Sequence, residues 1–281
     1  MQISIIQFLQ SFSTPWLDRF FILVTQLGGE MVLAGVIAFV YWSLDKEKGK
    51  LAALSTFTSV TLNSGLKGIF MVPRPLGKPG IRAIQTATGY SFPSGHAQGS
   101  AAAYFALPNA NRKYGYVIAA ALCLLVALSR VYLGVHYPLD VGAGLILGLF
   151  IALGYTYVYE GVNNFFLLAA AVGLVLALFF LLPPLYSPSP EFYQAYGGYL
   201  GFALGSLFEQ YCVKFKVHGG VLRRIIRWAV GMLLVYGLKL GLAVILPMVL
   251  APGIVYTFIE SGTLTFFLMG FYPLLFKELR L

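Results

Sequence analysis

The sequence predicts an all-α protein, a polytopic bundle of about nine or ten membrane-spanning helices. Three observations predict it. Of 281 residues, 59% are apolar and only 10% are charged, against about 25% charged in a soluble domain. Mean hydropathy is +0.81. The apolar residues also fall into runs of helix length, separated by Gly, Pro or charge clusters. Disorder is excluded because it needs few hydrophobes and many charges. An ordinary soluble fold is excluded because so few charges cannot cover its surface.

The elements follow in order. Residues 3–12 read as an amphipathic interfacial helix ended at Ser13-Thr14-Pro15. No positive region or small-residue cleavage site accompanies it, so no removable signal peptide is expected. Thr14 as N-cap and Pro15 as first helical residue start the next segment, 15–28, the weakest of the spans because it is short and holds Asp18 and Arg19. Apolar segments then run over 31–44, 48–72, 93–108, 113–132, 138–159, 163–182, 193–212, 222–250 and 254–276. Cys123 and Cys212 lie inside two of them and read as packing residues. The connection 73–92 stands apart as a long, polar, Pro/Gly-rich loop, a type usually functional when the domain is otherwise compact.

The net charge of +9 would suggest nucleic acid in a soluble protein. Here the basic residues sit in short loops between spans, so no nucleic-acid partner is expected. Alternating the helices places twelve on one side: Lys46, Lys48, Lys50, Arg112, Lys113, Lys214, Lys216, Arg223, Arg224, Arg227, Lys277 and Arg280. The other side receives Arg74, Lys78 and Arg82, all in the long loop. Basic residues are retained in the cytoplasm, so loop 73–92 is expected to face away from it, with the plasma (inner) membrane as location.

Ionisable residues near or within spans are functional candidates. Lys67 and Arg74, seven residues apart, are expected on one helical face. Ser94-Gly95-His96 opens the segment at 93, where an N-capping serine and free backbone N–H groups form an anion site. Arg130 ends the segment at 132, and His136 and Asp140 straddle the start of the next, one turn apart. All fall at one membrane face. Three cations and a helix N-terminus match a phosphate dianion, and the pentacoordinate transition state better. A histidine backed by a carboxylate suits a nucleophile or base, and the other histidine can protonate a leaving oxygen. The pattern reads as phosphoryl transfer through a histidine, with no metal or cofactor required.

These residues resemble the three signatures of type 2 phosphatidic acid phosphatases: Lys67 with Arg74-Pro75, Pro93-Ser94-Gly95-His96, and Ser129-Arg130 followed by His136 and Asp140. The resemblance covers about residues 60–145. It implies His136 as nucleophile oriented by Asp140, His96 as general acid, and Lys67, Arg74, Ser94, Gly95 and Arg130 as phosphate ligands. It also implies metal independence, a lipid-phosphate substrate drawn from the surrounding membrane lipids, and a six-helix core between residues 15 and 159. Residues 1–160 are then a phosphatase core with its interfacial helix, and 161–281 additional spans.

The same superfamily offers two alternatives, a phosphotransferase or a soluble sugar-phosphate phosphatase. A different class, a transporter of phosphorylated lipid, is raised by Lys239 near mid-membrane and Glu260 about two turns into the next span. An ion pair between adjacent helices is the preferred reading of that pair.

Overall fold

The computed structural model describes residues 1–108, 113–161, 165–181 and 189–278. Asn111, Arg112 and Arg280 lie outside them, as does the side chain of Lys277. The described chain is helical: α1 (Gln2–Ser11), α2 (Pro15–Thr25), α3 (Glu30–Phe39), α4 (Lys46–Phe70), α5 (Gly95–Ala106), α6 (Lys113–Tyr132), α7 (Pro138–Gly161), α8 (Phe165–Ala177), α9 (Pro190–Phe208), α10 (Val221–Val249), α11 (Ile254–Phe266) and α12 (Tyr272–Glu278). The helix starts follow capping chemistry. Thr14 Oγ1 accepts Leu17 N–H at 3.2 Å ahead of Pro15, and Asp45 Oδ1 accepts Lys48 N–H at 3.0 Å.

Among the described residues, four helical stretches are long and apolar enough to cross a membrane: Lys113–Tyr132, Pro138–Tyr159, Val221–Val249 and Ile254–Phe276. The pair Pro15–Gly28 and Glu30–Leu44, bent by 51°, makes a fifth if counted as one span. This is fewer than the nine or ten expected. The difference has a physical reason. Helices α4 and α5 are packed inside the bundle, and a helix covered by other helices is not selected for solubility in lipid. Seven hydroxyl and amide side chains punctuate α4, from Ser55 to Ser64, and they are tolerated because partners exist inside the bundle. On α4, Ser55 donates to Ala102 O at 2.8 Å, Ser59 to Gln98 O at 3.3 Å, and Thr58 Oγ1 lies 2.9 Å from Tyr155 Oη. Helix α5 is short and rich in Ala, Gly and Ser, nearly all buried.

Close backbone approach explains two glycines. A Cβ on Gly148 of α7 would overlap Gln98 O of α5, and one on Gly201 of α9 would overlap Gly262 O of α11. At the end of α4 remote from loop 73–92, Glu209 is fully buried. It accepts Lys46 Nζ at 2.6 Å and Phe215 N–H at 3.0 Å, with Lys50 Nζ at 3.6 Å. This cluster ties the start of α4 to the end of α9.

Lys239 and Glu260 do not form the expected ion pair, and no described carboxylate lies within 4.0 Å of Lys239. Helix α10 turns Arg227, Gly231 and Leu246 inward, which leaves Lys239 on an exposed flank. Of the two free cysteines, Cys123 is buried as expected and Cys212 is exposed.

Helix α1 straps the long loop. Gln10 Nε2 donates to Arg82 O and Tyr132 O, both at 2.9 Å, and Gln10 Oε1 accepts Arg82 N–H at 2.9 Å. Ile6 anchors the helix, fully buried against a cluster that includes Ala97, Val131 and Val141. Asp18 of α2 holds the loop from the other side: it pairs with Arg82 at 2.7 Å and accepts Tyr132 Oη at 2.5 Å.

Candidate active site

Every sequence-predicted site residue converges at one end of the bundle, where α4 ends, α5 begins and α6 turns into α7. Helix α4 stops at Phe70 because Met71 adopts the left-handed region (φ 47°). Arg74 therefore lies in the loop and not on the α4 face that its spacing from Lys67 predicts. It reaches the site through the loop backbone. Its guanidinium donates to Thr88 O at 2.7 Å, Gly89 O at 3.0 Å and Val135 O at 3.0 Å.

One further Arg74 N–H points at His136 Nε2, 2.9 Å away. An arginine can only donate, so Nε2 carries the lone pair and the ring proton sits on Nδ1. That proton faces Asp140 Oδ2 at 3.4 Å, with Ser91 Oγ at 3.3 Å. Asp140 Oδ2 also accepts the Ser91 hydroxyl and the Tyr137 amide, the latter at 2.8 Å. The carboxylate is thus fixed by three donors and in turn fixes the imidazole. Burial holds His136 well below its ordinary 6.5, at about 3; the hydrogen bond with Asp140 opposes this and the charges of Arg74 and Arg130 reinforce it. The ring is neutral at physiological pH, and its Nε2 lone pair is met by the Arg74 guanidinium.

Around this nitrogen the polar groups are left open. Ser94 occupies the N-cap position of α5, yet its side chain makes no cap hydrogen bond, and its Oγ is buried without a partner. Arg130 Nε is in the same condition, while its Nη1 is braced by Thr25 Oγ1 at 3.0 Å and Gln85 Oε1 at 3.4 Å. Buried donors left unmade are costly, and an anion between them would satisfy both. A Cβ on Gly95 would stand 3.2 Å from Asn63 Oδ1 and 3.8 Å from Lys67 Nζ; its absence keeps the α5 N-terminus open beside Lys67. His96 follows Gly95 in the first turn of α5.

Several contributors escaped the sequence reading. Ser91 is three residues before Ser94 in the loop already singled out, but its hydrogen bond to Asp140 is a contact of high sequence separation. Asn63 donates to Pro93 O at 3.2 Å and Gln98 Oε1 at 2.8 Å, seating the turn before α5. Asp18 and Thr25 have no motif to mark them.

Two family models match the chain: the PAP2 superfamily over residues 48–164 and the PAP2 superfamily phosphatase transmembrane extension over residues 193–281. Phosphatidylglycerophosphatase B of Bacillus subtilis is 33% identical over 149 residues, 48% of this chain and 71% of the relative. The chain belongs to the PAP2 superfamily. All eight residues singled out above fall within the matched segment 48–164. Mouse sphingosine-1-phosphate phosphatase 1 is 31% identical over 52% of this chain, which spans only 36% of that relative. Among solved structures, Aquifex aeolicus LpxE superposes with a TM-score of 0.52 at 26% identity, covering 56% of this chain and 94% of its own. Family membership, the transmembrane extension and the apolar spans make this PAP2 protein an integral membrane protein.

Proposed function

We propose that this PAP2 protein is a membrane phosphatase that hydrolyses a lipid phosphate or diphosphate through a phosphohistidine, at the non-cytoplasmic face. The observation that carries the reading is the line Arg74–His136–Asp140: a neutral imidazole with its lone pair turned toward a guanidinium and its proton turned toward a carboxylate. When a phosphate enters, Arg74, Lys67, Arg130, Ser94 and the Gly95 amide bind its oxygens, and Arg74 exchanges its contact with Nε2 for one with the phosphate. His136 Nε2 attacks phosphorus, an N–P bond forms and the ester P–O bond breaks. His96 gives a proton to the departing alkoxide. Water then attacks the phosphohistidine, His96 recovers a proton from it, and inorganic phosphate leaves.

The cations supply the charge that a divalent metal brings elsewhere, which supports turnover without metal. A lipid is favoured because the site gathers at the ends of α4 and α6 beside loop 73–92, where a headgroup would present itself while its tails stay in the bilayer. The two matched segments support a division near residue 160, with α2–α7 as a six-helix core and α8–α12 as additional helices. The Lys46 and Lys67 ends of α4 are about 32 Å apart, which supports placing the basic loops and the site on opposite faces.

The test is trapping the intermediate. Radiolabelled phosphatidate mixed with the protein in excess chelator and quenched in alkali should leave label on the wild type and none on His136→Asn. Label retained by His136→Asn overturns the nucleophile, and turnover that requires added divalent metal overturns the metal-independent reading.

A further inference from the structure

Helix α1 lies across the ends of two spans. Gln10 reaches Tyr132 O, where one span ends, and Gln2 Oε1 accepts the Leu139 amide at 3.0 Å, where the next begins. Gln7 Nε2 donates to Pro79 O at 3.3 Å, three residues before the Arg82 that Gln10 holds. Ile6 joins a buried cluster with Ala97, Val131 and Val141. Each of those three is the chain neighbour of a site residue, His96, Arg130 and Asp140 in turn. The inward side of this short helix is thus spent on the pieces that carry the site.

The outward side of α1 is apolar. Ile5, Phe8 and the capping Phe12 follow one another at helical spacing, and the two rings, 62% and 59% exposed, meet edge-on with centroids 5.2 Å apart. Trp16, Phe20 and Leu23 continue the exposed apolar surface along α2, with Trp16 stacked on Phe20 at 5.7 Å. That surface leads into the bent pair apolar enough to span a membrane. Beside the apolar stripe runs an exposed polar one, Ser4, Gln7 and Ser11. Residues 2–17 carry no charged side chain, so nothing on the helix recruits a partner by ion pairing. An apolar and a polar stripe on a helix set at the ends of spans fit the boundary between headgroups and acyl chains, a depth that favours aromatic side chains.

We propose that the outer face of α1 docks in the lipid interface and that this contact, passed inward through Gln2, Gln7 and Gln10, holds the active-site loop in shape, so that turnover depends on engagement of the bilayer. The proposal rests on the phosphatase reading, because the loop governs turnover only if Arg74 serves a catalytic site. An α1 lifted from lipid exposes Phe8 and Phe12 to water, and any rotation that hides them withdraws the glutamines from Pro79, Arg82 and Tyr132.

The full-length protein in phosphatidylcholine nanodiscs tests both halves. In a background with Cys123→Ala and Cys212→Ala, a nitroxide attached through Phe8→Cys should meet dissolved oxygen and be shielded from a water-soluble nickel chelate. One attached through Ser4→Cys should show the reverse. A Phe8→Cys label open to nickel, or shielded from both probes as beneath a protein partner or a second copy, overturns the proposal. Phe8→Gln combined with Phe12→Gln should lower kcat/KM for p-nitrophenyl phosphate, a soluble ester that needs no bilayer to present it. The expected loss is about fivefold, the equivalent of one strapping hydrogen bond, with trypsin cleavage after Arg82 faster to match. Phe8→Leu combined with Phe12→Leu keeps the apolar surface and should leave both readouts at wild-type values. Equal losses in the leucine variant make the ring pair the cause and overturn the lipid contact. Wild-type kinetics and cleavage in the glutamine variant overturn the proposal and leave the phosphatase reading standing. A wild type inactive on p-nitrophenyl phosphate and on phosphatidate overturns both.

Discussion

His136 and His96 sit in one pocket with different surroundings, and their assigned steps predict different sensitivities. Removing His136 removes the covalent route and should abolish phosphoenzyme formation on every substrate. Removing a general acid costs about 10²–10⁴-fold where the leaving oxygen needs a proton. His96→Ala should lose that much on an alkyl phosphate and distinctly less on p-nitrophenyl phosphate, read by rapid quench. Equal losses on both would end the general-acid assignment. Ser91 is a positioning residue: its hydroxyl holds Asp140, which holds the imidazole. Ser91→Ala should lower kcat about 10–100-fold, as loss of such outer partners does elsewhere, with KM little changed. A rise in KM at constant kcat would instead make Ser91 a substrate contact. The buried state of His136 also has a stability consequence. Its folded value, near 3, lies below the unfolded 6.5, so unfolding takes up a proton between them. Stability is whole above pH 6.5 and falls on acidification, by up to about 1.4 kcal/mol per pH unit for one group. His136→Asn should therefore lose less melting temperature than the wild type between pH 6.5 and pH 5; parallel losses would contradict a neutral, buried imidazole.

Helices were the most legible elements. Segment 113–132 coincides with α6, 222–250 is offset from α10 by one residue at each end, and 138–159 shares the start of α7 and stops two residues before its end. Apolar runs, Pro at first turns and polar caps are local signals, so they survive without tertiary knowledge. The number of spans did not, because α4 and α5 are interior helices whose Ser, Thr and Gly serve neighbours and not lipid. The long loop was legible as unusual, but its strap was not. Gln10 is an ordinary residue in a short amphipathic helix until its amide is seen bridging Arg82 and Tyr132. Each such hydrogen bond contributes about 1 kcal/mol net. Gln10→Ala should lower kcat/KM severalfold by loosening the loop that carries Arg74, and Gln10→Glu should not restore the donors. Unchanged kinetics in Gln10→Ala would show that the loop holds its shape without α1.

At the scale of the molecule, charge is segregated along the bundle. Lys46, Lys50 and Glu209 gather at one end, and Lys67, Arg74 and Arg130 at the other. In a background with Cys123→Ala and Cys212→Ala, a cysteine introduced by Ala83→Cys in the exposed part of loop 73–92 should react with an impermeant thiol reagent on intact cells. One introduced by Lys216→Cys should react only after lysis. The reverse pattern would place the site in the cytoplasm.

By itself the sequence determined the solvent and the family: composition and run length specify a helical membrane protein, and Lys67, Arg74, Ser94, Gly95, His96, Arg130, His136 and Asp140 carry the resemblance from which the anion site and its histidine nucleophile are proposed. These are properties of side chains and of short spacings, and neither depends on knowing what packs where. The tertiary structure decided which groups are held and which are left open. Arg74 reaches His136 from a loop and not along a helix, Ser91 and Asp18 join through contacts distant in sequence, and Lys239 and Glu260 stay apart. Each of these depends on the relative rotation and depth of helices, which close packing of small residues such as Gly148 and Gly201 sets and no local pattern encodes.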